Sequence, residues 1–407
     1  MQVLTFIGNL VLFLLSLCVL ICLHELGHLS MAKLFKVYCY EYSIGMGPLI
    51  FKKKKKGGET QFSIRALPIG GYVSMAGEEE ADKDRTNAEV AQVPKERTIA
   101  GVSWWKQIII FVAGVFVNFV LGFVFFFISY VCCSQPNYGS SQVKIVQDSK
   151  LISETVKVKD IITITSIRQV VTINGVEHEV YIDDNGEKVS TYQVETYDEI
   201  SYVLNVAASD DYKPTGKDDF KTMYFTYITK DNVKESATIK ISAVKTGEGK
   251  LGVEIYSWDK IGFSVTMHHL GFVEGLKQAC RAWGEGTIAL FKAIGMLFTP
   301  AGWQQAGGII SVFRMSEMAA SSGAGVFFNY WGLISVNLAI FNLLPVPGLD
   351  GWQILVAIVE GAAHKKIPNK VKNIVSYIGL GILFILMIVL VVKDIFFPSF
   401  SRLLWMI

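Results

Sequence analysis

The sequence predicts a polytopic α-helical membrane protein with about four transmembrane helices and one inserted, strand-rich domain. Its 407 residues are 51% hydrophobic and only 18% charged, whereas a soluble globular chain carries roughly 25% charged residues. The same figures exclude a disordered chain, because disorder requires low hydrophobicity and high net charge. Positive and negative charges nearly balance at a formal net charge of +2, so no clustered basic face favours nucleic acid as a partner.

Four stretches are long and apolar enough to cross a bilayer, which takes about 20 predominantly apolar residues. The first ends at Leu23, the second runs from Gln107 to Val131, the third lies within Met318 to Leu349, and the fourth runs from Asn373 to Val392. The first stretch lacks the basic start and small-residue cleavage site of a signal peptide. We therefore expect it to be a retained span.

Lysine and arginine are concentrated in two of the connecting loops, and this bias marks the cytoplasmic side of a membrane. One loop carries Lys33, Lys36 and the run Lys52 to Lys56, and the other carries Lys365 and Lys366. The bias predicts that both chain ends, and the long region between the second and third spans, are extracytoplasmic. The run from Lys52 to Lys56 is either a solvated loop or a contact for anionic lipid.

The long polar region between the second and third spans alternates apolar and polar residues, as in 222–227 and 237–241. This alternation is typical of strands, with one helix expected around Tyr197 to Ala207. The stretch from Gly271 to Pro300 is apolar but interrupted by charges. It indicates an amphipathic helix at the membrane surface, with a fifth span as the alternative.

The predicted segments follow from these patterns. They are the first transmembrane helix 1–34, a cytoplasmic loop 35–105, the second transmembrane helix 106–134, a strand-rich extracytoplasmic domain 135–262, an amphipathic membrane-surface region 263–317, the third transmembrane helix 318–362 and the fourth transmembrane helix 371–395.

The motif His24-Glu25-Leu26-Gly27-His28 stands at the end of the first span. On a helix, positions i and i+4 lie on one face, so the two imidazoles can bind one metal ion. The intervening Glu25 can then act as the base that deprotonates water. The alternative to a metal site is a helix end at which these three residues only face the water among the lipid headgroups. Ionisable residues at membrane depth are costly, and this cost favours the metal site.

A catalytic zinc ion takes three protein ligands and leaves the fourth position open. Asp350 is the first charge after the apolar run of the third span, and it follows Pro345 and Pro347, which break a helix. The end of the third span lies on the same side of the membrane as the end of the first. We therefore expect Asp350 to be the third ligand beside His24 and His28.

These two motifs, H-E-L-G-H at 24–28 and N-x-x-P-x-P-x-L-D-G at 342–351, closely resemble those of the site-2 protease family of intramembrane zinc metalloproteases. The resemblance is greatest to its RseP-type branch, which carries out regulated intramembrane proteolysis in bacteria. It implies a zinc metalloendopeptidase of the cell membrane, with Zn²⁺ on His24, His28 and Asp350 near the cytoplasmic side. It also implies that Glu25 is catalytic and that Asn342 binds substrate.

The resemblance extends beyond the metal motifs. Residues 62–73 resemble the membrane-associated β-hairpin of the family, which places a hairpin in the loop 35–105. Residues 113–118 resemble its A-G-P-x-x-N segment, with Val115 in place of the proline. Residues 135–262 resemble a single PDZ domain, which binds an extended peptide as an added strand or serves only as a spacer that filters substrates by size.

The resemblance implies single-span membrane proteins as substrates, with an already clipped anti-sigma factor and remnant signal peptides as the two expected kinds. Two other classes fit parts of the sequence. A non-catalytic adaptor that presents the PDZ-like domain has no need of Glu25. A metal-dependent transporter is expected to show pseudo-symmetric halves, and none are evident in the sequence.

Overall fold

In the computed structural model, the chain forms two compact units. One unit comprises Met1–Ser134 with His269–Ile407, and the other comprises Gln135–His268. The structure describes residues 2–78, 81, 90, 92–147, 149–173, 175–179, 191–206, 220–245, 251–253, 261–296, 299 and 307–396.

Four long helices of the first unit are apolar enough to cross a membrane. They are α1 (Gln2–Leu34), α2 (Trp104–Phe127, continued by a π-helical turn over Ile128–Cys132), α6 (Ala324–Leu343) and α8 (Asn369–Phe396). The predicted number of spans is therefore confirmed for the part of the chain that is described. Three further helices of this unit are α4 (Phe272–Met296), α5 (Ile309–Ser322) and α7 (Asp350–Ala363).

Helix α2 packs against α1, α4, α6 and α7 and thereby holds the unit together. Serine hydroxyls form hydrogen bonds between this helix and α6 at two levels. The Ser335 hydroxyl donates to the carbonyl of Asn118 at 2.7 Å, and the Ser129 hydroxyl donates to the carbonyl of Gly325 at 2.8 Å. These bonds add to the packing of α6 against α2.

The segment 318–362, predicted as one transmembrane helix, is divided into parts of three helices. Helix α5 ends at Ser322, and Gly323 adopts φ +116°, a conformation that L side chains rarely allow. Helix α6 then ends at Leu343, and Pro345 and Pro347 keep the chain non-helical until α7 begins at Asp350. The spanning part is confined to α6, and the predicted single helix is wrong in this respect.

Strands β1 (Cys39–Lys54) and β2 (Gln61–Met75) form an antiparallel hairpin between α1 and α2. Both strands fold back on themselves, so that Tyr42 is paired with Val73 on one side and with Phe62 on the other. The inner half of the hairpin packs on α1 and α2 in a cluster that contains Leu29, Ala32, Val37, Cys39, Tyr42, Val73, Met75, Ile99, Ile110 and Phe111. The hairpin is therefore anchored beside the two helices that meet at the histidine motif.

The second unit is a strand-rich body with one helix, α3 (Tyr197–Val206), which confirms the helix expected there. Its strands are β3 (Gln135–Pro136), β4 (Gln142–Ile145), β5 (Ile161–Ile173), β6 (Val176–Glu179), β7 (Thr191–Gln193), β8 (Phe220–Ile228), β9 (Lys234–Lys245), β10 (Leu251–Val253), β11 (Phe263–Val265) and β12 (Met267–His268). The largest sheet has the order β10-β9-β8-β5-β4-β11, with β6 and β7 also paired to β5. A small second sheet pairs β3 with β12.

The second unit extends past the predicted boundary at residue 262. Strand β11 pairs with β4, and β12 pairs with β3 at the start of the unit. These strands have only three and two residues, which is too short for a recognisable alternation of apolar and polar residues. The boundary predicted from that alternation therefore lies before them. These two strands pair the end of the second unit with its beginning.

Helix α4 occupies the stretch predicted to be an amphipathic helix, of which residues 297, 298 and 300 lie outside the described part. Its apolar face packs on α2, where Trp283 Nε1 donates to the carbonyl of Phe119 at 3.1 Å. Lys277, Arg281 and Glu285 are exposed. The helix is not among the candidate spans found in the described residues, and its location at the membrane surface remains a prediction.

Candidate active site

The last turns of α1 place His24 and His28 on one face, toward α2. Both residues are buried. A Cβ atom on Gly27 would lie 2.6 Å from the carbonyl oxygen of Ala113, so the glycine of the H-E-L-G-H motif is required for the close approach of the two helices. This approach brings both imidazoles against the backbone of α2.

Three ligand atoms converge at this point from two distant parts of the chain. Asp350 Oδ2 lies 3.0 Å from His24 Nε2 and 3.4 Å from His28 Nε2, and the two Nε2 atoms lie 3.1 Å apart. Ligand atoms of a tetrahedral zinc ion with bonds of ~2.0–2.1 Å lie about 3.3 Å apart. The three observed separations match this value, so one ion can contact all three atoms.

The donor set also fits the ion chemically. Two imidazole nitrogens and one carboxylate oxygen form a ligand combination that is typical of catalytic zinc. Asp350 Oδ2 is buried and makes no regular hydrogen bond with any residue that the structure describes. A buried carboxylate oxygen without such a partner is costly, and a cation between it and the imidazoles removes that cost.

The break between α6 and α7 positions Asp350. The chain leaves α6 at Leu343, passes through the prolines, and starts α7 with Asp350 as its first residue. Helix α7 packs on α2, which turns its first residue toward the histidines. If α6 continued without a break, Asp350 would lie about 10 Å beyond Leu343 along the helix axis, because each residue adds 1.5 Å.

Helix α2 provides the surface against which both imidazoles rest. His28 Nδ1 donates to the carbonyl of Ile110 at 2.8 Å, and the Asn118 side chain lies 3.3 Å from His24 Nδ1. Gly114 lies between these two positions. Ile110, Gly114 and Asn118 are spaced four residues apart and therefore line one face of α2. The hydrogen bond to Ile110 leaves the Nε2 lone pair of His28 free to bind a metal.

Glu25 lies beside the hairpin. Its carboxylate accepts a hydrogen bond from the backbone N–H of Val73. Its Cγ is close to Gly71, so that a Cβ atom added to this glycine would be in van der Waals contact with it. Since Val73 is anchored in the cluster between α1 and α2, this bond holds the carboxylate in place. The base candidate is thus oriented by a strand that is close in space but about 48 residues away in sequence.

A cavity of about 190 Å³ opens beside the ligand atoms. It is lined by Ile21, His24, Glu25, Asn118, Leu338, Asn342, Gly348, Leu349 and Asp350. Four of the five site residues predicted from the sequence therefore line one cavity, and the fifth, His28, contacts His24 and Asp350 directly. The structure brings all five together from α1, α6 and α7.

Sequence reasoning missed two residues of α2. Gly114 and Asn118 belong to the segment 113–118, which the resemblance singled out without a role for either residue. The available signal was Asn118 itself, because a polar residue in a charge-free span needs a buried partner. Its partner, His24, could not be identified before the packing of α1 against α2 was known.

The sequence matches peptidase family M50 over residues 12–386, which is most of the chain. This is the site-2 protease family, whose members are embedded in membranes and depend on zinc.

Several relatives align over nearly their whole length. A protein of Clostridium perfringens named as a zinc metalloprotease is 28% identical, with 95% of this chain and 98% of that protein covered. A protein of Clostridium acetobutylicum that is also named as a zinc metalloprotease is 28% identical, with 96% of this chain and 98% of that protein covered. The protein of Enterococcus faecalis named as the protease Eep is 26% identical, with 94% and 97% covered. The chain, with a triangle of zinc-compatible ligands at the base of its apolar helices, is therefore a member of peptidase family M50.

Proposed function

We propose that the chain is an intramembrane endopeptidase that hydrolyses peptide bonds within transmembrane segments of single-span membrane proteins. The observation that carries the proposal is the triangle of His24 Nε2, His28 Nε2 and Asp350 Oδ2, with edges of 3.0–3.4 Å. The cavity beside this triangle is also lined by Glu25 and Asn342. A metal triangle, a carboxylate base and an amide around one cavity are the groups that peptide hydrolysis requires.

In this proposal His24, His28 and Asp350 hold Zn²⁺. The bound ion supplies Lewis acidity, which polarises the scissile carbonyl and acidifies water. The chain contributes a fixed ligand geometry, because one imidazole donates to Ile110 and the carboxylate begins a packed helix. It also keeps the site buried, which strengthens every electrostatic interaction there.

Glu25 acts as the general base and then as the general acid. It takes a proton from the attacking water as the water oxygen bonds to the carbonyl carbon. It returns that proton to the amide nitrogen as the carbon–nitrogen bond breaks. The hydrogen bond from the Val73 N–H orients one carboxylate oxygen, and the other remains available for the proton.

Substrate binding requires local unwinding, because the amides of a transmembrane helix are all bonded internally. Asn342 lines the cavity beside Asp350, where its amide can bond the exposed backbone of an unwound segment. The hairpin around Phe62 to Val73 approaches Glu25 with its inner strand. An extended substrate segment would add to this strand as a further β-strand.

The strand-rich domain, predicted at 135–262, would lie outside the cell and act on the outer part of a substrate. Its resemblance to a PDZ domain supports either binding of an extended peptide or a steric filter. Substrates that have already lost their outer domain, such as a clipped anti-sigma factor or a remnant signal peptide, fit both roles. The active site would lie near the cytoplasmic side of the cell membrane, as the lysine-rich loops indicate.

The test is cleavage of a model single-span protein by the full-length chain in detergent. Cleavage should stop when a zinc chelator is added and return when Zn²⁺ is restored. The Glu25→Gln variant should retain one equivalent of zinc but lose about 10²- to 10⁴-fold in rate. Full activity of this variant would remove Glu25 from its role, and purified protein without zinc would refute the metal site.

The size filter is tested with the same full-length chain and a series of substrates. Each carries the same transmembrane segment, with an outer part that grows from a few residues to a folded domain. A filter predicts a sharp fall in cleavage once the folded domain is attached. Equal cleavage across the series would exclude the filter and leave peptide binding as the role of the domain.

A further inference from the structure

The two histidines of the metal motif are supported differently at their second ring nitrogen. His28 Nδ1 faces the carbonyl of Ile110 at 2.8 Å. Since a carbonyl oxygen only accepts, His28 must carry its proton on Nδ1, and its Nε2 is free for a metal. His24 Nδ1 faces a side-chain amide instead, that of Asn118 at 3.3 Å. An amide presents either a donor or an acceptor, so this contact decides which nitrogen of His24 is protonated.

The surroundings of Asn118 leave one amide atom without a partner. The residue is 1% exposed, and the oxygen Oδ1 has no hydrogen-bond partner among the described residues, while Nδ2 is the atom placed toward His24. The two amide atoms have nearly the same shape, so the hydrogen-bond network must decide their assignment. With Nδ2 toward His24, the imidazole proton would sit on Nε2, and that nitrogen could not bind a metal.

The opposite orientation satisfies the requirement of a metal ligand. If Oδ1 faces His24, it accepts the proton of Nδ1 and leaves the Nε2 lone pair directed at Asp350 Oδ2, 3.0 Å away. A ligating histidine generally donates its other N–H to an acceptor, which fixes the tautomer and the ring orientation. We propose that Asn118 is a positioning residue of the zinc site, accepting the Nδ1 proton of His24 through Oδ1.

The backbone of Asn118 makes a hydrogen bond that does not involve its amide side chain. Its carbonyl accepts a hydrogen bond from the Ser335 hydroxyl at 2.7 Å, which ties this turn of α2 to α6. Ile110 and Asn118 lie about two turns apart on one face of α2, and each contacts the Nδ1 atom of one histidine of α1. One helix face thus supplies an acceptor for each imidazole, a backbone carbonyl for one and a side-chain oxygen for the other.

The inference rests on the proposed metal ligands, and the experiment distinguishes a wrong set of ligands from a wrong role for Asn118. Zinc affinity is measured by competition with a chromophoric chelator on the purified full-length protein in detergent. Asn118→Leu has nearly the same volume but no acceptor, and it should lower zinc affinity about 10- to 100-fold. Asn118→Asp keeps an acceptor at the same distance and should bind zinc at least as tightly as the unmodified chain.

Two controls accompany these variants. Ser335→Ala removes the hydrogen bond to the Asn118 carbonyl but leaves the amide side chain intact, so zinc affinity should stay within about threefold. Co²⁺ substitution supplies a second readout, because its absorption bands report the ligand geometry. The bands of Asn118→Leu should shift, and those of Ser335→Ala should not.

Zinc affinity of Asn118→Leu equal to that of the unmodified chain would overturn the inference, as would an equal loss in Asn118→Asp. If Asn118→Leu does not fold, Asn118→Ala replaces it, since this smaller side chain leaves a cavity instead of crowding the helices. The control His24→Ala should abolish zinc binding. Failure of this control would refute the ligand set itself, whereas its success beside an unaffected Asn118→Leu would refute the positioning role alone.

Discussion

Gly114 lies so close to His28 that no side chain fits between them. A Cβ atom on this glycine would lie 2.5 Å from His28 Cε1 and 2.8 Å from His24 Cε1. Real Cβ atoms essentially never approach other atoms this closely, so a larger residue must displace the imidazoles. The glycine therefore determines where both histidines of the metal site can rest.

Gly114→Ala should accordingly impair the metal site more than the fold. Alanine favours a helix by roughly 1 kcal/mol over glycine, but its methyl group would push the two rings away from Asp350. We expect at least tenfold weaker zinc binding, measured by chelator competition, and a matching loss of cleavage. The control is Gly122→Ala in the same helix, where the added Cβ would meet Val336 Cγ2 at 2.5 Å. This variant should lose stability, yet its folded fraction should bind zinc normally. Equal zinc affinity of the two variants would contradict the prediction.

Asp350→Ala should remove both the metal and the activity. It deletes the ligand atom 3.0 Å from His24 Nε2 and leaves only two imidazoles, which hold zinc poorly because a stable site needs at least three protein ligands. Metal analysis of the purified variant should find less than one tenth of the zinc in the unmodified chain. The matched control is Glu360→Gln in the same helix, which loses the salt bridge with Lys372 but should keep its zinc. A zinc-loaded Asp350→Ala protein would assign the third ligand elsewhere.

Asn342→Leu should separate substrate binding from metal binding. Asn342 lines the cavity but does not belong to the triangle of ligand atoms, so the zinc content should not change. If its amide bonds the unwound substrate backbone, kcat/KM for a single-span substrate should fall about 10- to 100-fold, which corresponds to a lost hydrogen bond in a buried site. Asn329→Leu on the same helix, which loses its bond to the Tyr130 hydroxyl, serves as the control. Comparable losses in both variants would show a general effect on α6.

Glu41 and Arg65 predict a pH dependence of stability in the hairpin. Burial alone raises the pKa of the Glu41 carboxyl, but hydrogen bonds from Ser63 and Arg65 outweigh it and hold the pKa below its ordinary value. A lowered pKa means that the stabilisation is complete above the unfolded value of about 4.3 and is lost as the pH falls through the folded value.

Glu41→Gln should therefore lower the apparent Tm in detergent at pH 7 by on the order of 5 °C, because it leaves the guanidinium of Arg65 without its ion-pair partner. The difference from the unmodified chain should shrink below about pH 4. Glu59→Gln is the matched control, since this more exposed carboxylate pairs with Lys33 and Arg97 and should contribute less than about 1 kcal/mol. A difference in Tm that stays constant from pH 7 down to about pH 2 would contradict the assigned ion pair.

Local patterns in the sequence were sufficient to predict the four candidate spans and the residues of the candidate site. A run of about 20 apolar residues usually forms a helix that spans the membrane, and the four candidate spans were predicted for this reason. The H-E-x-x-H spacing places two imidazoles on one face of any helix. His24, His28, Glu25 and Asp350 could be predicted because each is an ionisable residue, which is costly in an apolar setting.

Positions that depend on two distant elements could not be predicted from the sequence. Gly114 and Asn118 acquire their roles only because α2 packs on α1 at Gly27, and Val73 meets Glu25 only because the hairpin folds back beside both helices. The separate helices α6 and α7 depend on how the proline-rich break packs, and the strands that close the second unit are too short for a periodic signal.

Residue type and helical spacing are enough to predict which residues can bind the metal and act as the base. The folded chain adds how far apart their atoms lie and which groups face the nitrogens of each imidazole. These properties depend on contacts across helix interfaces, and an interface is set by side-chain packing summed over whole helices. No local pattern encodes that sum, so the 3.0 Å separation between His24 and Asp350 appears only in the folded chain.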